Sequence, residues 1–329
     1  MDEEREITAP MELQRLQAGW AARSGAQPRL HTIVRMGAKT DLGRVRENNE
    51  DKFDFLEPED PGVLATRGRV YAVADGMGGH AAGQIAAEVA LNTFIRAYFT
   101  DASDDPQAAL KQAVQIANGY LVEIARTIRS RSGMGTTLTA AVLRENELLA
   151  VQVGDSRLYL LRDGELRQIT EDHSWVAEQV RRGALTEEEA ELSPFRNVIT
   201  RSLGGAPEVE PDLYAVQVQA GDRYLLCSDG LSGMVSADEI REILATESPS
   251  MVAWDLVQRA NDCGGKDNIT ALVLDVLAVI PWEELAQEVS EIRSEAVSAG
   301  GEPALAVAPT SPVGRRRGLI AQLFRRGGR

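Results

Sequence analysis

Five aspartates fall at the ends of strand-like apolar runs or in the turns that abut them, and no other feature limits the architectures open to this chain as strongly. Asp75 follows RVYAVA, Asp155 follows LLAVQVG, Asp229 follows RYLLCS, Asp267 precedes NITALVLDV, and Asp51 closes ENNED. Short apolar runs bounded by turn residues read as buried strands. A fold that brings these strand ends to one sheet edge also gathers carboxylates that repel one another, which raises their pKa values. A shared cation relieves the repulsion. Oxygen-only ligands favour a hard octahedral ion such as Mg²⁺ or Mn²⁺. The chain has three histidines, His31, His80 and His173, none at helical spacing from another, so a His-based zinc site is not expected.

Asp-Gly is also the commonest turn dipeptide, and each occurrence needs separate treatment. Asp163-Gly164 joins two alternating segments, 159–162 and 165–169, and reads as a hairpin turn. Asp75-Gly76 and Asp229-Gly230 differ, because each ends a continuous apolar strand. Asp75 is followed by GMGG and then a helical pattern. Glycine there lets the backbone approach a bound ion, and a helix start suits an anion.

Further strands are expected over 69–74, 137–144, 148–153, 157–161, 224–227 and 269–276. A helix over 81–99 places Ala86, Ala90, Phe94 and Ala97 on one face. A second over 107–129 places Leu110, Ala113, Val114, Ala117, Leu121, Ile124 and Ile128 at the 3.6 period, with Pro106 in its first turn. Thr186 with Glu189, and Ser236 with Glu239, have capping-box spacing. Strands in runs and helices in runs, rather than strict alternation, indicate an α+β chain with antiparallel sheets. The domain organisation expected is an N-terminal arm over 1–31, one globular domain over 32–279, a C-terminal helix over 280–298 beginning near Pro281, and a linker with a basic tail over 299–329.

Lys and Arg total 35 against 50 Asp and Glu, a net charge of −15. An acidic chain is a poor general nucleic-acid binder, which needs cations to displace condensed counterions. The charge is uneven: residues 301–329 carry six Arg and one Glu, +5, which leaves −20 for residues 1–300. That tail, RRRGLIAQLFRRGGR, has three readings: solvated charge, weak contact with acidic lipid, or a partner-docking segment. Cys227 and Cys263 form no CxxC, and MDEEREITAP has no basic-then-apolar leader pattern, so a reducing cytoplasm is expected. A monomer is the default expectation.

VADGMGGH, GMGTTLTAAV, VGDSRLYLLRDGEL, LLCSDGLSGMV and GGKDNITALVL resemble, in order and spacing, the motifs of the protein phosphatase 2C (PPM) family. TDLGRVRENNED at 40–51 is similar to that family's opening motif, and the likeness covers roughly 36–277. The DGMGGH wording resembles the bacterial branch. The resemblance implies an α-β-β-α sandwich, two antiparallel sheets with helices outside, and a cleft at one end holding two Mn²⁺ or Mg²⁺ ions. It assigns Asp75 as the bridging carboxylate and gives Gly76 a backbone carbonyl ligand. Asp229 and Asp267 become further carboxylates of the first ion. Glu50 and Asp51 become the pair holding ion-bound waters. Asp155 matches a ligand of a third ion in bacterial members, shared with Asp229. Arg46 matches the arginine that grips the substrate phosphate.

The same likeness implies hydrolysis of phosphoserine and phosphothreonine in proteins phosphorylated by Ser/Thr kinases. Attack would be in line, by a hydroxide bridging the two ions, without a phosphoenzyme. The chemistry agrees: phosphomonoester hydrolysis is among the slowest uncatalysed reactions, and paired cations neutralise the phosphate dianion. Arg46 offers a planar fork that Lys would not match. Met77 stands where eukaryotic members carry a proposed general-acid histidine, and Met donates no proton. His80 then competes with metal-bound water for that role. His173, in EDHSW, reads as structural or substrate-adjacent, and 175–200 reads as a mobile flap that shapes substrate choice. Two competing functions are a catalytically inactive phosphoprotein-binding regulator and a phosphatase of small phosphoesters. The presence of Asp51, Asp75, Asp229 and Asp267 disfavours the first.

Overall fold

The structure, a computed structural model, describes residues 25–79 and 81–287. Most of the expected N-terminal arm, His80, residues 288–298 of the expected C-terminal helix, and the linker and basic tail lie outside the described residues. In chain order the strands are β1 (Leu30–Asp41), β2 (Asp51–Leu56), β3 (Arg69–Met77), β4 (Gly135–Thr136), β5 (Leu138–Arg144), β6 (Glu147–Val153), β7 (Arg157–Arg162), β8 (Glu165–Gln168), β9 (Asp212–Gln217), β10 (Arg223–Cys227) and β11 (Ile269–Pro281). The helices are α1 (Pro61–Thr66), α2 (Ala81–Thr100), α3 (Pro106–Thr127), α4 (Trp175–Arg181), α5 (Glu187–Glu191), α6 (Asp229–Ser232), α7 (Ala237–Leu244) and α8 (Pro249–Asp262), with a short 3₁₀ turn at Arg129–Arg131.

One sheet runs β1-β11-β10-β7-β8. The other runs β2-β3-β5-β6-β9, with β4 appended to β3. All strand pairs are antiparallel. Strand alternation explains how the layers stack. On β3, Tyr71 and Val73 face inward to meet Leu158, Leu160, Tyr224, Leu226, Leu272 and Leu274 of the opposite sheet. Val70, Ala72 and Ala74, on the other face, lie under α2 and α3 with Phe94, Leu110 and Leu121. On the β1-β11-β10-β7-β8 sheet Leu225, Cys227, Ala271 and Val273 turn outward and are covered by α7 and α8. The central strands are therefore buried on both faces, which is why they read as continuous apolar runs instead of alternating ones. The result is the α-β-β-α sandwich that the motifs implied.

The expected strands and both long helices are present, with shifted ends. α3 stops at Thr127, so Ile128 is its extended C-cap and not part of the helical face. Asp105 caps its start by accepting from the Gln107 backbone. Both capping boxes form. The β7–β8 hairpin turns through Asp163 and Gly164, both at positive φ, as a type I′ turn demands. Two boundaries move. β1 begins at Leu30, inside the segment read as the N-terminal arm. β11 runs to Pro281, past 279, because Pro281 pairs with Leu30 and the Trp282 N–H continues the contact to the Arg29 carbonyl. Pro281 thus ends a strand, and the helical turns begin at 282.

Candidate metal centre

Register brings the acids together. Asp51 opens β2 and pairs directly with Asp75 near the end of β3. β6 ends at Val153, two residues before Asp155, at the same end of that sheet. In the opposite sheet, β10 ends at Cys227 beside Arg157 and Ala271, so Asp229 and Asp267 lie at its matching end. The cluster therefore spans the ends of both sheets, as the cleft implied by the family likeness does, where the strand-end pattern alone suggested one sheet edge. Carboxylates from two layers surround a cleft more completely than a single row of strand ends can.

Neighbouring backbone and side chains fix each acid. The Asp75 N–H donates to Thr137 Oγ1 at 2.8 Å, and its carbonyl accepts from Thr136 Oγ1 at 2.8 Å and the Thr137 N–H at 2.9 Å. Asp51 is fully buried, and its Oδ2 accepts from Ser228 Oγ at 2.6 Å. The Glu50 N–H donates to Asn268 Oδ1 at 2.8 Å, while Asn268 Nδ2 donates to the carbonyls of Leu42 and Asn48. Asn268 thereby ties the Arg46–Asp51 loop to the start of β11. Gly83 sits opposite Glu50, and a Cβ there would displace the Glu50 carboxyl from its present position and crowd the Gly76 backbone. Gly76 is held as tightly: its N–H bonds the Glu50 carbonyl at 3.2 Å, and a Cβ would strike the Gly83 carbonyl. Arg46 donates to Asp267 Oδ2 at 2.6 Å from a half-exposed side chain.

Electrostatics mark the cluster as incomplete on its own. Burial pushes the Asp51 carboxyl up to about 7, with Asp229 and Asp267 adding to the rise against the bonds from Ser228 and Thr270. Burial and Asp229 push Asp155 up to about 8. Burial and the surrounding acids also hold Asp75 well above the ordinary carboxylate range, and Asp229 is raised, burial again first. Asp51 Oδ1, Asp155 Oδ1 and Asp229 Oδ1 are buried with no hydrogen-bond partner. Buried, unpaired carboxylate oxygens are costly unless protonated or bound to a cation. This all-oxygen donor set fits a hard divalent ion in its chemistry. Among the described residues, no three acidic, imidazole or thiol groups already close a coordination sphere. Asp267 Oδ2 is engaged by Arg46 and Asp51 Oδ2 by Ser228, which leaves Asp51 Oδ1 as the unpaired oxygen of that carboxylate.

The sequence-derived residues Arg46, Glu50, Asp51, Asp75, Gly76, Asp155, Asp229 and Asp267 are all brought to this end of the sandwich. Met77 lies beside them at the β3 end, paired with Gly135. His173 is buried and bonded at both ring nitrogens, to the Gly154 N–H at 3.2 Å and to Asp212 Oδ2 at 3.0 Å, so neither nitrogen is free to face a substrate. Burial lowers its pKa. Within 175–200, α4 and α5 form, Trp175 packs on Phe195 at 5.2 Å between ring centres, and Leu192, Phe195 and Val198 are exposed. Sequence reasoning missed Ser228, Asn268, Thr137 and Gly83. The first two adjoin predicted acids, and a polar residue beside a strand-end Asp was the available signal.

The chain matches the pattern of the protein phosphatase 2C family over residues 45–269. It is 42% identical over 249 residues to the serine/threonine protein phosphatase PstP of Mycobacterium tuberculosis, covering 76% of this chain and 46% of that protein. It thus spans about half the length of the mycobacterial relatives. Identity to the serine/threonine phosphatase stp of Listeria monocytogenes is 38% over 242 residues, 72% of this chain and 94% of the relative. Among solved structures, the catalytic domain of PstP in complex with two manganese ions superposes with a TM-score of 0.65 at 41% identity, covering 75% of this chain and all of that one. The Staphylococcus aureus phosphatase Stp1 gives a TM-score of 0.69 at 30% identity, over 77% of this chain and 98% of that one.

Proposed function

The chain belongs to the protein phosphatase 2C family, and from that premise we propose that it is a metal-dependent protein serine/threonine phosphatase. The observation that carries this reading is the cluster of unpaired buried carboxylate oxygens on Asp51, Asp155 and Asp229, together with Asp75 and Asp267, at one end of the sandwich. Asp75, Asp229, Asp267 and the Gly76 carbonyl would hold one pair of Mn²⁺ or Mg²⁺ ions, with Glu50 and Asp51 orienting their waters. Asp155 and Asp229 would hold a third ion. Bound there, the paired cations would neutralise the phosphate dianion and lower the pKa of water, so that hydroxide could attack phosphorus in line. Arg46, released from Asp267, grips two phosphate oxygens with its planar fork. Met77 donates no proton to the leaving oxygen, so that proton would come from water or from His80.

Phosphoserine and phosphothreonine proteins made by Ser/Thr kinases are the proposed substrates, on the strength of the relatives' names. Nucleic acid is disfavoured by the −15 charge. Two free cysteines support a cytoplasmic setting, and no described helix is long and apolar enough to cross a membrane. We also propose a monomer, and weak lipid or partner contact through the Arg-rich tail.

The test compares a phosphothreonine peptide, p-nitrophenyl phosphate and small phosphometabolites, each with Mn²⁺, with EDTA and with Asp75→Asn. The expected result is Mn²⁺-dependent turnover, fastest on the peptide and lost on chelation or substitution. Folded, Mn²⁺-loaded protein that turns over none of them would replace this reading with a phosphoprotein-binding regulator. Preference for a metabolite would replace the substrate class.

A further inference from the structure

We infer that His173 is a positioning residue: through Gly154 it aims the Asp155 carboxylate into the cluster, and Asp212 holds it in the form able to do so. The inference rests on the phosphatase reading above, since Asp155 matters there as an ion ligand.

The geometry is a two-point clamp on the residue before Asp155. The His173 N–H donates to the Gly154 carbonyl at 2.9 Å, and the Gly154 N–H donates to His173 Nδ1 at 3.2 Å. A ring nitrogen that accepts carries no proton, so the neutral ring is protonated at Nε2 and donates to Asp212 Oδ2 at 3.0 Å. Asp212 Oδ1 accepts from Arg201 Nη1 at 2.8 Å, which fixes the carboxylate in turn. His173 is only 1% exposed, so the ring's bond to Gly154 is shielded from solvent, whereas Asp212 is partly exposed.

A second grip lies on the far side of Asp155. Asp172, next to His173, accepts from Arg157 Nε at 3.0 Å and Nη2 at 2.7 Å. Adjacent residues 172 and 173 thus hold positions 157 and 154, on either side of the carboxylate. Between them, the Ser156 carbonyl accepts from Thr139 Oγ1 at 3.0 Å and Gln152 Nε2 at 2.6 Å. Gly154 has φ +105, a conformation favoured only by glycine, so this loop holds its shape through bonds and not through side-chain packing at 154. The same segment seats the flap: the Thr200 N–H donates to the His173 carbonyl at 2.8 Å, and Ser174 bridges Ile199. His173 therefore stands where the Asp155 loop and the returning end of the flap are joined. Residues that orient ligands in this way typically change metal affinity by roughly 10- to 100-fold when replaced.

The experiment is calorimetric Mn²⁺ titration of the full chain and of His173→Ala, His173→Asn, Asp212→Asn, Asp155→Ala and the His173→Ala/Asp155→Ala double variant. Melting in EDTA reports whether each is folded. Asp155→Ala identifies which Mn²⁺ event depends on that carboxylate. The expected result is that His173→Ala weakens the same event by roughly tenfold or more, and that the double variant is no weaker than Asp155→Ala alone. His173→Asn, whose Oδ1 can reach the Gly154 N–H, recovers most of the loss. Should His173→Ala fail to fold, His173→Asn and Asp212→Asn carry the comparison, with Asp212→Asn the weaker of the two in that event. Unchanged Mn²⁺ binding in the folded His173 and Asp212 variants, or losses that add to Asp155→Ala, would overturn the positioning role and leave the phosphatase reading standing. A parent chain that binds no Mn²⁺ would remove both.

Discussion

At the scale of single residues, burial decides what the acids do before any ion is considered. Asp163 and Asp75 share the dipeptide Asp-Gly, yet Asp163 sits at φ 53 in an exposed turn and Asp75 ends a strand buried on both faces. Sequence separated the two correctly because the flanking runs differ. It could not place Ser228 on Asp51, since that contact joins residues 177 positions apart. The raised carboxyls set a pH dependence. Asp51 and Asp155, raised from 3.8 to about 7 and about 8, bind protons in the folded chain that the unfolded chain has already released. Stability of the ion-free protein therefore falls as pH rises between about 4 and 8. Melting temperatures in EDTA should decline across that window, whereas saturating Mn²⁺ should remove or reverse the decline, because cations bind the deprotonated form. A flat profile in EDTA would contradict the assigned burial. Arg46→Lys keeps the charge and loses the fork, so kcat/KM for a phosphopeptide should fall by about tenfold or more, with Mn²⁺ affinity little changed.

At the scale of elements, legibility followed local chemistry. The β7–β8 hairpin, the α3 face and both capping boxes are written in short stretches, and each was readable. β1 and α8 are not. β1 keeps only Thr32 and Gly37 fully buried along its length, so it shows neither alternation nor a continuous apolar run. Its place is set by β11 on one side and α8 above it. Gly37 is the contact point, where a Cβ would run into the backbone of Pro249 and Ser250. Gly37→Ala should therefore push α8 off the sheet and lower stability by about 1–3 kcal/mol, as overpacking does. Chemical denaturation of the two proteins measures this, and equal midpoints would show that α8 yields freely. The Asp155 loop is illegible for a related reason. Its shape depends on Asp172 and His173, which reach it across the β7–β8 hairpin.

At the scale of the whole molecule, the sandwich is what makes the cluster possible. Two sheets, each buried on both faces, end at the same level and present acids from both layers to one cleft. The family likeness implied a cleft at one end of the sandwich, but the strand pattern alone did not show the two sheets sharing it, because strand order departs from chain order in each. The demand for a cation lies at this end, where three buried carboxylate oxygens lack partners. The most direct measurement is Mn²⁺ binding by calorimetry to the full chain, to Asp75→Asn and to Asp163→Asn, the last altering the same dipeptide in the distant hairpin. On the proposed function, the expected result is at least two Mn²⁺ bound by the parent and by Asp163→Asn, and loss of binding in Asp75→Asn with the fold intact. Equal binding by all three proteins, or none by the parent, would contradict the assignment of the carboxylate cluster as the metal centre.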